Sequence, residues 1–290
     1  MAEIRCIIDA HNKLGEVPVW DVEEQALYWV DIENSLLQKL TPSTGEVQRW
    51  TLPERLCAFA LRRAGGLIVA LASGLAFFDP GSGAIERLAA PEAHLPRNRF
   101  NDGKCDRRGR FWAGSMDDRL TERTGGLYRY DPDGSCRRME GEIGISNSLA
   151  WSPDDRLFYF ADTLQRKIFA YDFDIDTGAI SGRRVFTDMA GQPGNPDGST
   201  IDEEGYLWNA QWDGWRLVRY APDGHVDRVV GLPVQKPTSC MFGGPDLRTL
   251  YVTSAVWYLT PEELERQPWA GGLLALDVGV VGLPEARFAG

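Results

Sequence analysis

Four side chains with hard oxygen donors recur in this 290-residue chain at matching places: Glu16, Asn101, Asn147 and Asp197. Each stands nine to eleven residues ahead of the start of a short apolar run, and Cys57 and Cys240 hold the same place ahead of two more. The four lie in polar segments rich in Gly or Ser: Leu14-Gly15-Glu16-Val17-Pro18, Phe100-Asn101-Asp102-Gly103, Ile145-Ser146-Asn147-Ser148 and Asn195-Pro196-Asp197-Gly198. Two carboxylates and two carboxamides turned toward one axis repel unless something joins them. A divalent cation removes the conflict, because oxygen donors of this kind suit Ca²⁺, Mg²⁺ or Mn²⁺. With so few protein ligands, such an ion keeps positions open for water and substrate. A plainer reading makes Asp197 a turn residue, since Pro-Asp-Gly also occurs at 132–134 and 222–224. Those copies follow an apolar run, whereas Asp197 precedes one, in register with Asn147 and Asn101.

Other chemistries find less support. The three histidines, at 11, 94 and 225, show no paired metal-ligand spacing. There is no Gly-x-Ser-x-Gly elbow and no phosphate-binding loop, and Gly81-Ser82-Gly83 reads as a turn. His225 is expected to face solvent, and His94 reads more readily as a surface residue than as one edging the axis. The ten tryptophans read mostly as core, with Trp212 and Trp215 beside a loop as exceptions. Asp117 and Asp118 read as solvated loop charges.

The apolar runs are the elements that must position these groups. Six segments read alike, with anchors at 27, 67, 110, 157, 207 and 250 and so intervals of 40, 43, 47, 50 and 43. Each precedes a second short run and then a turn, as in Gly126-Leu127-Tyr128-Arg129-Tyr130-Asp131-Pro132-Asp133-Gly134. Units of this length with about four strands have the spacing of propeller blades. The expectation is an all-β, six-bladed β-propeller in which residues 1–290 form one domain. Residues 2–8 are expected to pair into the last blade and remove an exposed edge. A solenoid is the alternative, but six units without capping repeats favour closure. One helix is expected, at Thr260-Pro261-Glu262-Glu263, where Thr can cap and Pro suits the first turn.

Composition narrows the partners. With 31 basic against 42 acidic side chains, the net charge of −11 argues against nucleic acid and against an anionic membrane surface. No apolar run is long enough to span a bilayer. The start of the chain lacks the features of a signal peptide. Five scattered cysteines suit reduced thiols, so a cytoplasmic protein, monomeric by default, is expected.

Taken together, several segments resemble the regucalcin (senescence marker protein)/gluconolactonase family. They are Leu14-Gly15-Glu16, Arg97-Asn98-Arg99-Phe100-Asn101-Asp102-Gly103-Lys104, Gly109-Arg110-Phe111-Trp112-Ala113-Gly114-Ser115-Met116, Ile145-Ser146-Asn147-Ser148, Pro196-Asp197-Gly198, Cys240-Met241-Phe242-Gly243-Gly244 and Arg266-Gln267-Pro268-Trp269-Ala270-Gly271-Gly272. The resemblance implies a six-bladed propeller and a lactonase that hydrolyses a sugar-acid lactone with one divalent metal ion. Its metal ligands would fall on Glu16, Asn147 and Asp197 and its substrate contacts on Arg99 and Asn101. The family's animal members add an acidic residue shortly after the Gly-Ser/Thr-Met segment. That place is read here as Arg119, which leaves the preferred sugar open among glucono-, xylono- and arabinono-lactones. Asp197 is expected to be general base as well as ligand. The ion stays open among Ca²⁺, Mn²⁺, Zn²⁺, Mg²⁺ and Fe²⁺. Two other readings stand beside this one: an esterase or phosphotriesterase using the same metal, and a non-catalytic metal-binding propeller.

Overall fold

The structure, a computed structural model, describes residues 3–290. It contains six antiparallel sheets of four strands each, and the fold class is the all-β, six-bladed β-propeller. The first strands of the six sheets are Gly15–Asp21, Leu56–Leu61, Asn98–Cys105, Ser146–Trp151, Asn195–Ile201 and Pro237–Gly243. Five of the six sequence anchors lie in the second strands, and Arg110 directly precedes the second strand Phe111–Asp117. Ile4–Ile8 pairs antiparallel with Leu273–Asp277 and supplies the fourth strand of the sixth sheet. The expected closing segment began at Ala2, which with Met1 lies outside the described residues.

Burial explains why the strands read as continuous apolar runs rather than as alternating ones. Every residue of Ala26–Asp31 and of Leu56–Leu61 is buried, so both faces of these strands are covered. The last strands of the blades, such as Glu46–Thr51 and Val226–Gly231, are largely exposed and carry polar side chains. The α-helix among the described residues, Pro261–Arg266, starts with a capping box: Thr260 accepts from the Glu263 amide while Glu263 accepts from the Thr260 amide. No helix of the described residues is long and apolar enough to cross a membrane. All five cysteines are free thiols.

By internal contacts the chain divides into two compact units, Met1–Thr51 with Met189–Pro284, and Leu52–Asp188 with Glu285–Gly290. The core of the first unit includes Trp208, Phe242, Leu250, Val252 and Leu274, with a second cluster around Trp20, Trp29 and Met241. The second unit packs an aromatic cluster of Trp112, Trp151, Phe158, Phe169 and Phe173. One turn is built alike in both units. Asp106, fully buried, accepts from the Trp112 indole at 2.8 Å and Arg110 Nε at 2.6 Å. Asp202, equally buried, accepts from the Trp208 indole at 2.9 Å and Arg219 Nε at 2.8 Å. A buried carboxylate is tolerated here because a guanidinium and an indole N–H together satisfy it.

The C-terminal residues complete the second unit. The Phe288 amide donates to the Leu61 carbonyl at 2.8 Å, and the Arg63 amide donates to the Phe288 carbonyl at 2.9 Å. The Phe288 ring, 1% exposed, lies between Phe77 and Tyr130 with both centroids 5.9 Å away. Gly109, at φ +81°, lets the chain pass, since a Cβ there would sit 2.6 Å from that of Ala289. Phe288→Ala is therefore expected to cost about 3–5 kcal/mol of stability, read as a lower urea midpoint.

Candidate active site

The first strand of every blade slips register against the second at one place. The slips fall between Glu16 and Val19, Leu56 and Ala58, Phe100 and Gly103, Asn147 and Ala150, Pro196 and Ser199, and Pro237 and Ser239. Such a bulge bends the strand and re-aims its side chains. Glu16 and Asn147 are the last paired residues ahead of their bulges, while Asn101, Asp197 and Cys57 lie inside theirs. Val17 at φ +46° and Ser148 at φ +63° follow Glu16 and Asn147 directly. A β-branched residue in the left-handed region is strained by about 1–3 kcal/mol and persists only where its surroundings hold it. The third Pro-Asp-Gly is no turn, since Pro196-Asp197-Gly198 lies within a strand, whereas Gly134 and Gly224 take the positive φ of true turns.

The sixth blade corrects the count. Its bulge holds Thr238, while Cys240 pairs with Val252 and donates its thiol to the Trp208 carbonyl within the core. The strand there runs five residues beyond Thr238, against four beyond Asn147 and Asp197, and its second strand begins one residue before Leu250. Counting back from the anchor therefore lands two residues late.

In the second unit a chain of hydrogen bonds links three of the expected residues. Arg99 Nη1 donates to Asn101 Oδ1 at 2.8 Å. Asn101 Nδ2 donates to the Ser146 carbonyl at 3.0 Å and to Asn147 Oδ1 at 3.1 Å. Asn147 Nδ2 in turn donates to Thr163 Oγ1 at 2.9 Å. All of Arg99, Asn101 and Asn147 are buried.

Asp118, expected as a solvated charge, receives Arg99 Nε at 2.8 Å and both terminal nitrogens of Arg55 at 3.0 and 2.8 Å. Burial opposes its ionisation, but the hydrogen bonds from Arg55 and Arg99 outweigh this and hold its carboxyl below the usual range. Arg119 is exposed beside it, and its backbone amide donates to Asp117. Asp117 is itself fully buried and accepts from Thr121 and from the Glu122 amide. Asp118, one position before Arg119, is thus held against Arg99, a contact that the sequence did not announce.

A pocket of about 590 Å³ opens beside this network, lined among others by Leu75, Glu92, Asn98, Arg99 and Phe100. Glu92 fastens the loop over it, accepting from Ser115 Oγ at 2.8 Å, Tyr128 OH at 2.9 Å and Asn98 Nδ2 at 2.9 Å. His94, on the same loop, is exposed. Cys57 lies behind, where burial, against the pull of Arg99 and Arg55, pushes its thiol up to about 11.

In the first unit Glu16 and Asp197 are each 6% exposed. Their strands both pack against Pro237–Gly243, and Thr238 Oγ1 donates to the Gly15 carbonyl at 2.5 Å. Gly198 permits the close approach, because a Cβ there would lie 2.1 Å from Ser239 Oγ. Asn209 donates its amide to the Asp197 carbonyl at 2.9 Å and to Ser199 Oγ at 3.0 Å, which fixes the backbone of that bulge. A polar Asn in the otherwise apolar run Leu207-Trp208-Asn209-Ala210 was the available signal for this role. Of the two loop tryptophans, Trp212 carries the Lys236 ammonium 4.4 Å from its ring and Trp215 is 41% exposed.

Comparison with known proteins places the chain. The model of the SMP-30/gluconolactonase/LRE-like region matches residues 14–256. The chain belongs to this family. The 6-deoxy-6-sulfogluconolactonase of Pseudomonas putida is 42% identical over 288 residues, 99% of each chain. The L-arabinolactonase of Azospirillum brasilense is 40% identical over 98% of this chain and 95% of its own. The solved structure of regucalcin from Agrobacterium tumefaciens, described as a calcium-binding protein, superimposes with a TM-score of 0.95 at 30% identity, covering 99% of this chain and 97% of that one.

Asp102, next to Asn101, is buried, and desolvation pushes its carboxyl up to about 6 against the pull of Lys104 and of the Leu149, Gly103 and Ser148 amides. The folded chain keeps this proton where an unfolded aspartate, with a pKa of about 3.9, has lost it, so stability falls as pH rises through that window. The unfolding free energy of the wild type relative to Asp102→Asn is expected to drop by about 2 kcal/mol between about pH 4 and pH 7. Urea denaturation of both proteins at the two pH values checks this.

Proposed function

We propose that this protein hydrolyses a sugar-acid lactone, such as glucono-, xylono- or arabinono-lactone, to the free aldonic acid with the aid of one divalent metal ion. The coarser part, a hydrolytic lactonase, rests on membership of a family with two relatives named as lactonases at 42% and 40% identity. The finer part rests on one observation above the others: Arg99, Asn101 and Asn147 are buried in a single hydrogen-bonded set at strand bulges beside an open pocket.

The donor set fits a hard cation. We assign Glu16, Asn147 and Asp197 as its ligands: buried oxygen donors without sulfur or imidazole among them. Among the described residues no three His, Cys, Asp or Glu side chains gather as a ligand cluster. When bound, the ion supplies Lewis-acid polarisation of the lactone carbonyl and a more acidic water. Asp197 accepts the proton of the attacking water as general base. Arg99 donates to the oxygens of the lactone, and its guanidinium is oriented for this by Asp118 and Asn101. Asp118 takes the hydroxyl-recognising role that was expected near Arg119, and Arg119 is left as a contact at the exposed rim.

The test is proton release from a panel of pentono- and hexono-lactones by metal-stripped protein, with each divalent cation restored in turn. Turnover lost with chelator and recovered with one ion is expected. Faster cleavage of aryl esters or phosphotriesters than of any lactone would overturn the substrate class. Metal binding without turnover of any substrate would leave the non-catalytic reading. Asp197→Ala is expected to lower kcat by about 10²–10⁴-fold with an unchanged circular dichroism spectrum. Asp118→Asn is expected to raise KM more than it lowers kcat, because it loosens Arg99 without touching the proposed base.

A further inference from the structure

The hydrogen-bond chain through Arg99, Asn101 and Asn147 has a direction, and Arg99 sets it. A guanidinium only donates, so the Asn101 amide turns its oxygen to Arg99, at 2.8 Å, and its nitrogen away. That nitrogen needs acceptors and finds the Ser146 carbonyl and Asn147 Oδ1. Asn147 must therefore present its oxygen on the Asn101 side and its nitrogen on the other, where Thr163 Oγ1 receives it at 2.9 Å. The inverted amide would set two N–H groups against each other at Asn101.

Thr163 does not reach this place by chance. It opens the short 3₁₀ turn Thr163–Gln165, which Asp162 caps by accepting from the Leu164 amide. Asp162, 1% exposed, also takes the Gly144 amide at 3.1 Å, the Ile145 amide at 3.2 Å and Gln165 Nε2 at 2.7 Å. The Thr163 amide donates to the Ile145 carbonyl at 3.0 Å. The turn is thereby bonded to the segment that leads into Ser146 and Asn147.

We infer that Thr163 is a positioning residue that locks the Asn147 amide with its oxygen available as a metal ligand, an inference that rests on the metal reading proposed above. Asn101 fixes one end of the amide and Thr163 the other. Losing the hydroxyl leaves a buried N–H without its acceptor, and the amide then moves to find another. Groups that orient metal ligands in this way typically change metal affinity by about 10–100-fold when removed.

The experiment titrates metal-stripped full-length protein with Mn²⁺ or Ca²⁺ by calorimetry, so the readout is binding and not turnover. Thr163→Val is expected to weaken binding by about tenfold, and Thr163→Ser to restore it, with thermal melting of both near that of the wild type. An aspartate has no nitrogen end and presents an oxygen either way round, so in an Asn147→Asp background, where the hydroxyl can only donate, Thr163→Val is expected to weaken binding by less than it does with Asn147. Wild-type affinity in Thr163→Val, or an equal loss in the Asn147→Asp background, overturns the proposal. Unchanged binding in Asn147→Ala overturns the metal reading itself and the positioning role with it.

Discussion

A regular strand sends alternate side chains to opposite faces, and in the first strands of this protein both faces are buried. A carboxylate or amide on such a strand has no route out of the apolar layers unless the pairing breaks. The break comes as a bulge in each first strand, and the polar groups that chemistry needs are found at or beside it. The left-handed backbone of Val17 and Ser148 belongs to the same constraint. Strain there is held by the paired residues on either side of the bulge, up to Glu16 and from Val19 in one strand and up to Asn147 and from Ala150 in the other.

Neighbouring bulges then satisfy one another. Asn101 reaches from its own strand to the carbonyl of Ser146 and the side chain of Asn147, and Asp102 accepts from the amide of Leu149. Thr238 does the same toward Gly15, one residue ahead of Glu16. Small residues make the approach possible: a Cβ on Gly114 would lie 1.7 Å from Ser146 Oγ. Removing one partner leaves the next buried polar group unmet, so the groups are coupled more tightly than a list of separate contacts implies.

This coupling bears on function through charge and direction. Asp118 pins Arg99, and it does so while shared with Arg55, so the pocket beside them is lined by groups whose orientation is already set. Preorganised donors of this sort are worth more than flexible ones, because little ordering remains when substrate arrives. The far turns show the structural counterpart: Asp106 and Asp202 bind tryptophan and arginine in an arrangement closed to solvent.

Much of this was legible in the residues themselves. Repeat length and short apolar runs determined six four-stranded units, because a strand buried on both faces leaves a pattern in any sequence. Register with those runs singled out Glu16, Cys57, Asn101, Asn147 and Asp197, since bulge and anchor lie on one strand pair at nearly fixed spacing. That same count failed at Cys240, where one added strand residue and an anchor one residue inside its strand together put the bulge at Thr238. Asp118 and Thr163 were out of reach for a different reason. Their contacts are with partners 19 and 16 residues away along the chain, and only folding sets which side chain meets which. That Asp118 meets Arg99 and Arg55 while Arg119 is exposed is decided by the direction in which the turn after the strand points its side chains, and that direction comes from tertiary hydrogen bonds rather than from local sequence.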